Sequence, residues 1–175
     1  MKRINLLLAV TGMIIFSFSG CEKLLDKIGV TIDSDYTNVA FTVNPDKAGT
    51  YSEIIEVVNS NLDSIIDAEG QEVGELNSVK IKDAMIQVVG EGDLDPFESF
   101  RITLEAPDKD AIKVAEVTSV PEGITEIILI KEGVDLSDYL KSDQYTIKVK
   151  TVLDQDLETH MIMRARVRYE IKVGL

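Results

Sequence analysis

The sequence predicts an all-β fold, an immunoglobulin-like sandwich of two antiparallel sheets with one or two short helices. Three observations predict it. Apolar residues recur at every second position over most of the chain after residue 36, the signature of strands with one packed face. Polar turns rich in Gly, Pro, Asn and Asp separate these runs. No long helical segment alternates with them, so a doubly wound α/β fold is disfavoured and two packed antiparallel sheets are favoured. Periodicity does not separate two sheets from one closed sheet, so a small barrel is the second choice.

Thr37, Val39, Phe41 and Val43 alternate until Asn44-Pro45-Asp46 breaks the run. The segment 53–58 follows, apolar on both faces. Ser60 then opens "SNLDSIIDAEG", where Ser60 and Asp63 resemble a capping box, Leu62, Ile65 and Ile66 form a helical face and Gly70 ends it. A long strand from Val79 to Val89 carries Val79 and Ile81 on one face and Ile86 and Val88 on the other, and the phase change near Asp83-Ala84 predicts a bulge. After the turn "GEGDLDPFES", Phe100, Ile102 and Leu104 alternate with polar residues. Ile112 to Val117 and Thr125 to Ile130 read as further strands, and Asp135 begins a brief helical turn with Leu136, Tyr139 and Leu140 inward. Tyr145, Ile147, Val149 and Thr151 mark the next strand. The last and longest runs from about Thr159 to Val173, with Met161, Met163, Ala165, Val167, Tyr169, Ile171 and Val173 on one face, giving about eight strands in all.

The N-terminal segment has a different logic. Lys2 and Arg3 precede an uncharged apolar run from Ile4 to Phe18, then Ser19-Gly20 and the chain's one cysteine, Cys21. This resembles a bacterial lipoprotein signal, which implies cleavage before Cys21, lipidation of its thiol and acylation of the new amine. The run of about 15 residues is short of the roughly 20 needed to span a bilayer as a helix. An ordinary secretory signal would leave Cys21 as a free thiol in an oxidising compartment. The expected organisation is therefore signal 1–20, a short membrane tether 21–29 ("EKLLDKIG" after the cysteine) and one domain over 30–175.

The formal charge is -13, with 31 acidic residues; loss of Lys2 and Arg3 with the signal takes it to about -15. Such a surface disfavours nucleic acid, whose binding requires phosphate neutralisation. The chain lacks a zinc-type Cys/His cluster, a glycine-rich phosphate loop and a GxSxG elbow. His160 stands near Asp156 and Glu158 without a nucleophile. The expected role is accordingly non-catalytic and without a cofactor: a monomeric, lipid-anchored binding or structural module of the cell envelope, with an envelope protein or an anionic glycan as the candidate partner. The alternatives are a small carbohydrate-active hydrolase, which needs two carboxylates facing across a cleft, and a calcium-stabilised adhesive domain. For calcium, Glu91, Asp93, Asp95 and Glu98 share one turn flanked by Gly90, Gly92 and Pro96, and such carboxylates suit a hard cation. Asp154 and Asp156 form a second acidic turn.

Arg164, Arg166 and Arg168 are the other candidate site. Their spacing places all three on one sheet face, opposite Met163, Ala165, Val167 and Tyr169. Lys148 and Lys150 on the preceding strand are expected on the same face, making a basic strip for an anionic partner. Like charges in such a ladder require acidic neighbours to separate them.

The segments "SVKIKDAMIQV", "FESFRITLEAPDKDAIKVAEV" and "DLSDYLKSDQYTIKVKTVLD" resemble those of small Bacteroidetes envelope lipoproteins of uncharacterised activity, over roughly residues 76–173. That resemblance implies an envelope location, at the outer membrane, and a β-sandwich, and it transfers no active site. Glu22-Lys23-Leu24-Leu25 leaves the external and periplasmic faces both open.

Overall fold

A computed structural model describes residues 29–72 and 76–174. The signal, Cys21 and nearly all of the tether lie outside the described residues. The strands are β1 (Val30–Asp33), β2 (Thr37–Val43), β3 (Tyr51–Asn59), β4 (Leu76–Val88), β5 (Phe97–Ala106), β6 (Lys109–Val117), β7 (Glu126–Ile128), β8 (Ile130–Lys131), β9 (Gln144–Leu153) and β10 (Met161–Val173). Helix α1 (Leu62–Ala68) joins β3 to β4, and α2 (Ser137–Leu140) precedes β9.

They form two antiparallel sheets. In the first, the order is β1-β10-β4-β7, with β2 beside β1 along the same edge of β10; the second runs β3-β9-β5-β6-β8. One apolar core lies between them, drawn from alternate residues of both: Val39, Ile86, Met163 and Val167 from the first sheet, Phe100, Ile102, Ile147 and Val149 from the second. The fold is the expected immunoglobulin-like sandwich, with separate sheets rather than a closed barrel. The alternation of β10 is realised throughout, since Met163, Ala165, Val167, Tyr169, Ile171 and Val173 are all buried.

Four local expectations are corrected. The bulge in β4 is real, because Arg168 lies opposite Asp83 while Tyr169 lies opposite Ile81. Its effect is the reverse of separating two faces: Lys82 is the extra residue, and skipping it returns Ala84, Ile86 and Val88 to the core side already occupied by Val79 and Ile81. Second, the strand expected over 125–130 is two strands in different sheets, β7 on β4 and β8 on β6. Buried Leu129 is the crossing point, and its insertion between the layers explains why the chain changes partner there. Third, Ser60 does not cap α1 through a capping box; Asn61 holds the cap position, and the Ser60 hydroxyl donates instead to the Leu140 carbonyl. Gly70 does follow the helix in the left-handed region, φ 70°. Fourth, counting both halves of the split strand and the short β1, the described residues contain ten strands rather than about eight.

Candidate binding face

β10 is an interior strand of its sheet, with β1 and β2 along one side and β4 along the other, so the outward residues of its first half sit on a face walled by β2 and β4. Arg164 lies between Ala40 and Gln87, Arg166 between Asn38 and Met85, and Arg168 opposite Asp83. The three arginines differ in what they meet. Arg168 donates through Nε to Asp83 Oδ2 at 2.9 Å, and this contact raises its already high pKa. Tyr36, at the entry to β2, donates its hydroxyl to the same carboxylate at 3.5 Å. The Tyr36 ring lies under two guanidinium groups, 4.3 Å from Arg166 Cζ and 5.0 Å from Arg168 Cζ. Stacking of this kind occupies the guanidinium face and leaves its N–H edges outward.

The acidic neighbours that a like-charge ladder requires are therefore only partly supplied. Lys82 pairs with Asp33 and Lys172 with Glu170, as Arg168 does with Asp83. Arg164 and Arg166 have no carboxylate partner among the described residues. Apolar groups border them: exposed Ile162 beside Val89, whose amide donates to the Ile162 carbonyl, and Met85 opposite exposed Ile128. Asn38 and Gln87 add amide groups in the same rows.

Lys148 and Lys150 do not join this strip. β9 belongs to the second sheet, so both lysines occupy the opposite outer face of the molecule. The misplacement has a topological cause: consecutive strands β9 and β10 are not hydrogen-bonded neighbours, and the connection between them crosses from one sheet to the other. Lys148 pairs there with Glu105, which raises its pKa, and Lys150 lies opposite Glu53 and Arg101. Arg101 and Lys113 both reach Glu116, whose carboxyl is held below its ordinary value by Lys113 first and Arg101 second.

The turn containing Glu91, Asp93, Asp95 and Glu98 is organised by backbone amides. Asp93 accepts from the Asp95 N–H at 3.1 Å, and Asp95 accepts from the Gly123 N–H. Leu94 is buried beneath them. The four carboxylates are not brought together, and among the described residues no group of three His, Cys, Asp or Glu side chains is placed to hold a metal ion. In the second acidic turn, Asp156 pairs with Lys47 at 2.6 Å and accepts from the Ala48 N–H, which together lower its pKa. His160 is exposed. An open groove of about 690 Å³ lies at the tip of the β5–β6 hairpin, with Val57, Pro107, Asp108 and Gln144 in its wall.

Tyr36 is the member of this face that sequence reasoning missed. It stands outside any alternating run, and its one signal is position, immediately before Thr37 where the alternation begins.

No family model matches the chain, and no curated protein matches it. Among solved structures, the chain is similar to a carbohydrate-binding module of the β-sandwich superfamily, at 8% identity and TM-score 0.37, covering 78% of this chain and 54% of that one. It therefore spans about half the length of that structure. Structures of Triatoma virus (10% identity, TM-score 0.37, 94% and 73% covered) and tomato aspermy virus (11%, 0.31, 78% and 78%) are also similar.

Proposed function

We propose that the protein is a non-catalytic binding module of a bacterial outer membrane, anchored through lipid on Cys21 and docking a carboxylate-bearing partner on the outer face of β10. The observation that carries the binding reading is Arg166: a guanidinium stacked on Tyr36 at 4.3 Å, beside Arg164, with neither neutralised by a carboxylate in a chain of net charge -13. A stacked guanidinium is oriented before the ligand arrives, so less side-chain freedom is lost on forming a bidentate pair. The flanking Ile162, Met85 and Ile128 exclude water from the rim of that pair, and Arg, Met and aromatic residues are the types enriched at binding surfaces. Overall negative charge repels polyanions at long range. The face thus selects carboxylates delivered within an otherwise apolar or neutral surface.

Titration of the isotopically labelled protein with a neutral aliphatic peptide bearing one glutamate and, separately, with a neutral oligosaccharide bearing one galacturonate tests this. The side-chain amide signals of Asn38 and Gln87, which flank Arg166 and Arg164, shift with one or both, and Arg164→Glu/Arg166→Glu abolishes the shift while Lys148→Glu/Lys150→Glu preserves it. The two probes separate an acidic protein from an anionic glycan. Equal binding by both double variants refutes the assignment. Palmitate labelling of the expressed chain, lost in Cys21→Ala, tests the anchor independently.

A further inference from the structure

The fold deals with its sheet edges unequally. β4 is covered beside β7 and beyond it: the Leu129 N–H donates to the Ala84 carbonyl, and the Val79 N–H is taken by Asp135 and Ser137 while Leu136 donates to the Val79 carbonyl. The far edge of the first sheet is interrupted between β1 and β2, where Ser34 bonds to Tyr169 instead. β6 carries β8. β3 has no such cover. It runs nine residues in unbroken register with β9, and among the described residues no second strand pairs with it. Ile55 and Val57 project from its outer face at 57% and 59% exposure. Glu56 points to the inner face, since it lies opposite buried Ile147, yet it is exposed, so the edge there is open to water. A long open edge with apolar side chains is a template for another strand.

A second copy is a poor occupant. The twofold register that pairs Ile55 with Val57 and Ile54 with Val58 places Glu56 directly against Glu56, and like charges directly opposite are destabilising. The remaining occupant is a strand that brings the opposite charge. We propose that the free edge of β3 accepts an extended segment of a partner protein in antiparallel pairing, with aliphatic residues against Ile55 and Val57 and a basic residue between them against Glu56. Backbone hydrogen bonds supply the attachment, and the alternate side chains supply the choice of partner. Glu53 does not compete for the cation, because Lys150 lies opposite it.

The test uses the full-length chain in mild detergent and two capped peptides, KTVIKVVTK and KTVIEVVTK. The lysine-centred peptide binds and protects β3 amides from hydrogen exchange, and the glutamate-centred one binds at least about tenfold more weakly. Glu56→Lys, a change at an exposed site, inverts that preference. Arg164→Glu/Arg166→Glu leaves peptide binding unchanged, so failure of the arginine face and failure of the edge are distinguishable. Binding indifferent to the central charge, protection outside β3, absence of binding, or a β3-paired dimer of the unliganded protein each overturns the proposal.

Discussion

Tyr169 and Tyr145 meet across the core from opposite sheets, with hydroxyls 3.2 Å apart and rings edge to face at 6.4 Å. Each hydroxyl is the other's hydrogen-bond partner in a site nearly closed to water, and a buried polar group left alone costs more than the bond itself is worth. Tyr169→Phe should therefore cost about 1–3 kcal/mol by orphaning Tyr145. Tyr145→Phe/Tyr169→Phe should recover most of it, as measured by urea unfolding, and a double variant as unstable as the single one contradicts the pairing. Burial first, then Tyr145, pushes the Tyr169 hydroxyl well above the ordinary value of 10.0. Stability from this group is complete below that ordinary value and is lost as pH rises past it, so Tyr169→Phe also delays alkaline unfolding.

The bulge in β4 acts on a whole element. With Lys82 skipped, five apolar residues of β4 (Val79, Ile81, Ala84, Ile86 and Val88) share the core side. Because Lys82 is the extra residue, its deletion leaves these five side chains at every second position of a regular strand and should retain a cooperative urea transition. Deleting Lys82 and Asp83 together puts Ala84, Ile86 and Val88 out of phase with Val79 and Ile81 and expels one group or the other, at about 1.5–3 kcal/mol for each large side chain. That loss is comparable to the total stability of a domain this size, so the double deletion should abolish the transition. Lys82→Ala, which removes only the surface pair with Asp33, should shift stability by under about 1 kcal/mol. A double deletion as stable as the single one shows that register is not set here.

At the scale of the molecule, acid weakens several ties between elements together. Glu116 of β6 joins that strand to β5 through Arg101 and is also held by Lys113 of its own strand. Burial of Asp135 opposes its charge, but the Ser137 hydroxyl and the Val79 and Ser137 amides outweigh that and hold its pKa down, binding the α2 turn to β4. Asp156 holds the β2–β3 connection through Lys47 and Ala48. A carboxyl depressed in the folded state contributes fully above its unfolded value and less as pH falls toward the folded one. Thermal melts from pH 7 to pH 3 should show Tm falling below the ordinary carboxylate range, with a shallower fall in Glu116→Gln/Asp135→Asn. Parallel slopes for the two proteins count against these contacts as the cause.

Period-two alternation was sufficient for the fold class and for the side of β10 that is buried, because a strand's pleat alone decides which residues share a face. The same local rule placed Arg164, Arg166 and Arg168 together. It even exposed the bulge, since a phase change is a one-dimensional fact, although not its consequence, which depends on where the core lies. What escaped it was strand order. Whether β9 lies beside β10, whether residues 126–131 serve one sheet or two, and whether β3 ends a sheet depend on contacts far apart in the chain. Those relations moved Lys148 and Lys150 to the opposite face, brought Tyr36 beneath Arg166 and left the edge of β3 open. Pairing between strands is settled by burying both sheets against one core, a condition on the whole chain that no single segment carries.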